Sequence, residues 1–225
     1  MVLKSMTFNY NPRYEYSWPE DRLLSPTRVL DMTSDKSFLE AWKKRVGAKE
    51  ADRIVKRSIA IGKNMHSYLE YNIKGEKPIL LHKYKKTARI LGNLILKKGL
   101  KDKLEEYWGL EAHVHFSDHY RGIIDLVGIY EGEPCVIDFK QKRSSQRREW
   151  VSDYFTQVAA YGMAHNKMFG TKIKKGVVLI ATHKGDFQRF IVKSSEWKKH
   201  CSDFLKRLRE CMKNVQEIGK DKKAS

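Results

Sequence analysis

Residues 121–140, RGIIDLVGIYEGEPCVIDFK, decide how the rest of the chain is read. Two runs rich in β-branched and aromatic residues flank Glu131-Gly132, the pattern of a hairpin closed by a two-residue turn. Pairing Tyr130 with Glu133 across that turn sets a register in which Asp125 faces Asp138. Opposed side chains in an antiparallel pair lie roughly 4.5–5.5 Å apart at Cβ, so two carboxylates placed there repel each other. Apolar surroundings screen that repulsion poorly, and a cation between the acids relieves it. Strand alternation puts Lys140 on the same side as Asp138. Two acids and one amine on a single sheet face form a candidate metal-and-lysine site. The plainer alternative is a salt-bridged strand edge at Asp138-Phe139-Lys140.

Working outward, Tyr107 to Phe116 alternates as a preceding strand, with a turn at Ser117-Asp118. Past Lys140, a polar segment carrying Lys142, Arg143, Arg147 and Arg148 reads as a mobile loop. A helix over Ser152–Phe169 follows, closed by Gly170, and Gln157 and Tyr161 lie four apart on one of its faces. Val177 to Thr182 is almost wholly apolar, as expected of a central strand. A turn at Lys184-Gly185-Asp186 leads to a strand over Phe187–Val192. The last helix shows a packing stripe of Trp197, Cys201, Phe204, Leu208, Cys211 and Val215. Residues 219–225 read as a frayed tail.

Upstream, Ser25-Pro26 marks a helix start, Ser25 as cap and Pro26 in the first turn. Ser34 is expected to begin a second short helix, with an apolar stripe of Phe38, Leu39, Trp42 and Val46 ended by Gly47. A longer helix spans Ala48 to Lys74 and stops at Gly75. In it Gly62, His66 and Glu70 share one face, with Ile54, Ile61, Met65 and Leu69 on the neighbouring stripe. His66 fits either a core-edge histidine or a metal ligand, since neutral imidazole binds divalent cations. Leu81 to Lys103 reads as a further helix or helix pair broken at Gly92 and Gly99. The order predicts one α/β domain over 1–225, a central mixed sheet flanked by helices. Residues 1–104 are mainly helical, and 105–218 form the α/β core.

A hydrophobic content of 41% over 225 residues indicates a globular chain, and 45 Lys and Arg against 27 Asp and Glu give a net charge of +18. Such an excess favours a polyanionic partner, nucleic acid ahead of a membrane surface. The basic residues cluster at Lys83, Lys85, Lys86 and Arg89 and again at Lys142, Arg143, Arg147 and Arg148. Tyr84 and Trp150 stand among them as candidates for stacking on bases. No apolar run approaches the roughly 18 residues of a membrane span. Cys135, Cys201 and Cys211 show no zinc or iron–sulfur spacing and read as buried thiols in a reducing compartment. The first 24 residues carry neither an apolar signal core nor an acid-free basic presequence, so the expected location is cytoplasmic, in a bacterium or a phage-infected host. No obligate protein partner is evident.

Asp125 followed by Asp138-Phe139-Lys140 resembles the PD-(D/E)xK nuclease signature. Gly62-Lys63-Asn64-Met65-His66 with Glu70 resembles the GxxxH…E helix of its RecB-like branch, and Gln157-Val158-Ala159-Ala160-Tyr161 the QxxxY motif of that branch. Over most of residues 24–170, SPTRVLD, EAWKKRV, IGKNMHSYLE and QVAAY are further similar to the mitochondrial genome maintenance exonuclease group and its phage relatives. The resemblance implies a metal-dependent exonuclease that prefers single-stranded DNA. On it, His66, Asp125 and Asp138 hold Mg²⁺ or Mn²⁺, with Lys140 beside the reacting phosphate. Gln157 and Tyr161 steady the site or touch DNA, and Glu70 stands as an outer carboxylate. Glu111, on the preceding strand, is a further acid within possible reach, with exposure to solvent as its plainer reading. No iron–sulfur cluster is expected.

Three other readings stay open at this level. One is an endonuclease of the same superfamily acting on duplex or branched DNA. Another is a catalytically silent DNA-binding protein, and the third is a basic structural or annealing protein.

Overall fold

The computed structural model describes residues 6–17, 23–80 and 83–221, with side chains to Lys213. Five strands form one mixed sheet in the order β1 (Leu104–Phe116), β2 (Tyr120–Tyr130), β3 (Glu133–Lys142), β4 (Lys175–Thr182) and β5 (Phe187–Lys193). Neighbours are antiparallel except β3 and β4, whose parallel pairing is made possible by the crossover helix between them. The six α-helices among the described residues are α1 (Pro26–Thr33), α2 (Ser37–Val46), α3 (Ala48–Lys74), α4 (Lys85–Leu94), α5 (Ser152–Phe169, the crossover) and α6 (Ser194–Asp221). The expected α/β architecture with a helical N-terminal half is what the chain adopts. No described helix is long and apolar enough to cross a membrane.

The hairpin at 121–140 forms as its turn chemistry requires. Glu131 and Gly132 both take positive φ, +50° and +74°, and Tyr130 pairs with Glu133. Positive φ at both central residues is the condition for a two-residue turn whose twist matches the strands. All eight residues of β4 are buried, because helices cover both faces of the sheet. One core layer joins α1, α5 and α6 to one face through Val29, Phe155, Val158 and Phe204. The other joins α3 and α4 to the opposite face through Ile61, Met65, Leu69, Leu91 and Phe139.

Several local expectations change. Ser34 closes α1 instead of opening α2: its N–H and its hydroxyl both donate to the Leu30 carbonyl. The start of α2 is marked by Asp35, which accepts from the Ser37 N–H and hydroxyl. None of the α2 residues is buried, and Phe38 is 81% exposed. Ile54 is exposed for a related reason: residues 52–59 of α3 are exposed, and apart from Ala51 the buried residues of α3 begin at Ile61. Periodicity in α2 is genuine, but burial needs a facing partner.

Gly92 and Gly99 do not break their helix. A Cβ on Gly92 would lie 2.4 Å from the Tyr68 ring, so glycine here permits close packing of α4 on α3. The change of geometry comes at Ile95, where a π-helical turn runs to Leu100. The Gly99 carbonyl there accepts from the Tyr130 hydroxyl at 2.7 Å. The expected loop after β3 is pinned to β5, because Gln146 and Gln188 exchange two hydrogen bonds. Leu81, the expected start of the basic segment, and residues 222–225 of the expected tail lie outside the described residues, while α6 itself runs through 219–221.

The N-terminal segment packs on α5 around His165, which is fully buried. The Tyr16 hydroxyl donates to His165 Nε2 at 3.1 Å, and Nδ1–H donates to Thr171 Oγ1 at 2.8 Å, whose own hydroxyl donates to Asn166. That network satisfies a neutral imidazole, and burial pushes its pKa down to about 4. The unfolded chain takes up this proton near pH 6.5, the folded chain only near 4. Stability from this group is therefore complete above pH 6.5 and lost on acidification toward 4, by up to about 3 kcal/mol. Chemical denaturation across that range should show a shallower pH slope for His165→Gln than for wild type. Equal slopes would contradict this assignment.

Candidate metal and lysine centre

The site lies where β2 and β3 part. Their ladder ends at Leu126↔Ile137, after which β3 continues beside β4 to Lys142↔Thr182 and β2 stays with β1. Asp125 and Asp138 come next in register, at the mouth of that opening. The expected face-to-face acid pair is therefore modified. Asp125 Oδ2 turns onto the backbone and accepts from the Phe139 N–H at 2.7 Å. The Phe139 carbonyl in turn lies 3.0 Å from His66 Nε2. The backbone of one residue, Phe139, thereby holds both an acid from β2 and a histidine from α3.

At the same level β1 keeps its register with β2 but not an extended backbone. The register passes from Leu110↔Leu126 to Ala112↔Ile124, and Glu111 between them has a φ of +47°. A non-glycine residue with that φ inside a strand is a local strain of the kind that clusters at functional sites. It brings Glu111 Oε1 to 3.7 Å from His66 Nδ1, while Asp125 Oδ1 lies 3.4 Å from the same nitrogen. Since Nε2 faces a carbonyl, it carries the proton in the neutral tautomer and leaves the Nδ1 lone pair toward the acids. Ligand atoms of His66, Glu111 and Asp125 lie within 4.8 Å of one another.

Asp138 differs from the expected ligand set by leaning on Lys140 instead of joining that triad. Lys140 Nζ is 2.6 Å from each Asp138 oxygen, but the directed hydrogen bond goes to Oδ1. Oδ2 is buried without a hydrogen-bond partner among the described residues. A buried carboxylate oxygen left this way is costly. Together with one imidazole and two further carboxylates it matches the hard oxygen and nitrogen donors that divalent cations take.

Charge is distributed unevenly. Burial works to raise Asp125, but His66, Lys140 and the Phe139 N–H outweigh it and hold the carboxyl below its usual range. Burial pushes Asp138 up to about 6, with Asp125 adding to the rise and Lys140 opposing it. Burial pulls on the Lys140 amine in the opposite sense, yet Asp138 and Asp125 overcome it and keep the ammonium. For His66, with no cation beside it, burial is again overcome, by Asp125 and Glu111, and its pKa rises to about 10, so a cation binding here would have to displace the Nδ1 proton before that nitrogen could serve as a ligand.

From α5, Gln157 Nε2 donates to the Tyr161 hydroxyl at 3.1 Å, and both side chains are buried. The Tyr161 ring packs onto Gly122 of β2, where a Cβ would come within 2.5 Å of it. Gln157 and Tyr161 thus lock α5 to the strand that carries Asp125. Glu70 bonds Lys74 at 2.6 Å and lines an open cleft of about 520 Å³ with Gly62, Lys63, His66, Ser67 and Glu111. It sits along the cleft, outside the close triad.

Lys83, Lys85, Lys86 and Arg89 are exposed around the start of α4. Tyr84 stands between cations, with Lys83 Nζ 5.3 Å and Arg57 Cζ 5.6 Å from its ring centroid. Arg143 and Arg147 are exposed as well, and Arg147 covers Trp150, which is 63% exposed. Arg148 has a structural engagement, bonding the Ile191 carbonyl at 2.7 Å and Glu196 at 2.6 Å. The contribution of Arg57 carried no sequence signal, because helical charges on an exposed face are commonplace. Replacing Glu111 by Gln should weaken Mn²⁺ binding at least as much as the loss of an outer partner does, about tenfold or more. Calorimetric titration measures this directly, and an unchanged affinity would remove Glu111 from the ligand set.

No family model matches the chain. Curated relatives include Mitochondrial genome maintenance exonuclease 1 of Homo sapiens, 26% identical over 181 residues, and that of Xenopus tropicalis, 28% identical over 181 residues. Each alignment covers 72% of this chain and 49% of the relative, so the chain spans about half the length of the curated relatives it matches. A crystal structure provisionally described as an exonuclease, from Eubacterium rectale, superposes with a TM-score of 0.50 at 12% identity, over 72% of this chain and 67% of that one. At that identity the superposition supports the fold alone. Through its curated relatives, the chain is related to a family of nucleases whose named members are exonucleases.

Proposed function

We propose that the protein is a Mg²⁺- or Mn²⁺-dependent deoxyribonuclease that removes nucleotides from DNA ends and prefers single strands. The observation that carries this reading is the convergence of His66, Glu111 and Asp125 with the Asp138–Lys140 pair at the opening between β2 and β3. The exonuclease names of the curated relatives support the same reading.

His66, Glu111 and Asp125 would hold the cation, with Asp138 Oδ2 as a further donor. The cation supplies Lewis acidity and a bound water of lowered pKa. Lys140, kept as an ammonium between two acids, suits stabilisation of negative charge building on a phosphate, and is no proton acceptor at neutral pH. Asp125 stays ionised because Phe139 N–H and His66 hold it so. Gln157 and Tyr161 keep α5 seated against β2. Tyr84 with its flanking cations, Lys85, Lys86 and Arg89 on one side, and Lys142, Arg143 and Arg147 on the other, combine charge for a backbone with rings for unpaired bases. That combination is the usual basis of single-strand binding.

Digestion of end-labelled linear and circular single-stranded DNA tests the proposal, with Mg²⁺, Mn²⁺ or EDTA, wild type beside Lys140→Ala. Metal-dependent loss of the linear DNA alone, abolished by the substitution, is the expected result. Cutting of the circle would make the protein an endonuclease, and binding without cleavage under every metal would make it a DNA-binding protein.

A further inference from the structure

The motif residues on α5 extend one turn further toward its N-terminus than Gln157. Tyr154 lies three residues before Gln157 and seven before Tyr161, so the three side chains share a helix face. Its ring is half-buried and carries two ammonium groups. Lys140 Nζ lies 5.0 Å from the ring centroid and Lys142 Nζ 5.1 Å. Both lysines come from β3 at positions i and i+2, hence on one side of the strand.

Two like charges gathered around one ring repel each other, and each sits on a flexible four-carbon stem. Lys140 donates one directed hydrogen bond to Asp138 Oδ1. Pairing with the one carboxylate holds the ammonium from the Asp138 side only. The negative face of an aromatic ring attracts a cation without accepting its protons, so it restrains direction while leaving the N–H groups available.

We propose that Tyr154 is a positioning residue for Lys140, its ring holding that ammonium on Asp138 and keeping Lys142 apart from it, an inference that rests on the nuclease reading above. The ring face does this work and the hydroxyl does not. Lys142 is thereby kept one strand step beyond Lys140, where it suits the next phosphate along a bound strand.

Tyr154→Leu and Tyr154→Phe in the full chain separate these contributions, with Tyr154→Met standing in should the leucine variant not fold. Loss of one such contact predicts a fall in kcat of about tenfold for the leucine variant, with KM and metal requirement unchanged and the phenylalanine variant near wild type. A second readout needs neither metal nor DNA: acylation of each lysine by an amine-reactive ester, followed by mass spectrometry. Lys140 and Lys142 should label several-fold faster in the leucine variant than in wild type or the phenylalanine variant. Unchanged labelling in the leucine variant overturns the inference, as does a phenylalanine variant that falls as far as the leucine one. Should wild type cleave no DNA, the nuclease reading fails by itself and the labelling still decides the role of Tyr154.

Discussion

The N–H of Phe139 is the constraint on which the site depends. In a continuous antiparallel ladder such a group would pair with the neighbouring strand. Here β2 leaves β3 after Leu126↔Ile137, and the Asp125 carboxylate takes the bond instead. The carbonyl of the same residue is met by His66. Buried backbone groups have to be satisfied, so the parting of the strands and the placement of the two side chains are one event. Without that opening, Asp125 and Asp138 would be an uncompensated pair of facing carboxylates.

Around this bond the chain concentrates charge of both signs. Asp125 is held ionised, Asp138 is pushed up to about 6, and Lys140 stays an ammonium. The three behave as a unit, since each owes its state to its neighbours as well as to burial. Their supports come from all sides of the fold. α3 brings His66, the positive-φ residue of β1 brings Glu111, and α5 brings Tyr154, Gln157 and Tyr161. A sheet with helices on both faces can converge on one point in this way because its strands end in different directions at the opening.

Much of this was legible in the sequence where the signal is local. The hairpin register followed from turn chemistry and alternation, and the ends of α3 and α5 from their closing glycines, Gly75 and Gly170. Gly62, His66 and Glu70 do share a face over one cleft. What escaped depends on tertiary context. Glu111 reads as an ordinary strand acid until a positive φ turns it inward. That Asp138 is paired with Lys140 while Asp125 bonds the Phe139 N–H is likewise visible only in three dimensions. The stripe on α2 is regular, yet no described core covers it, and no periodicity argument can supply the missing partner. Arg148 looks like its neighbours in sequence, but only contact with Glu196 and the Ile191 carbonyl separates it from them.

The most direct measurement is anomalous diffraction from crystals grown with Mn²⁺. The account predicts a peak bounded by His66 Nδ1, Glu111, Asp125 and Asp138 Oδ2, with the Phe139 bonds intact. A peak beside Glu70 alone, or none within reach of His66 and Asp125 at saturating Mn²⁺, would contradict it.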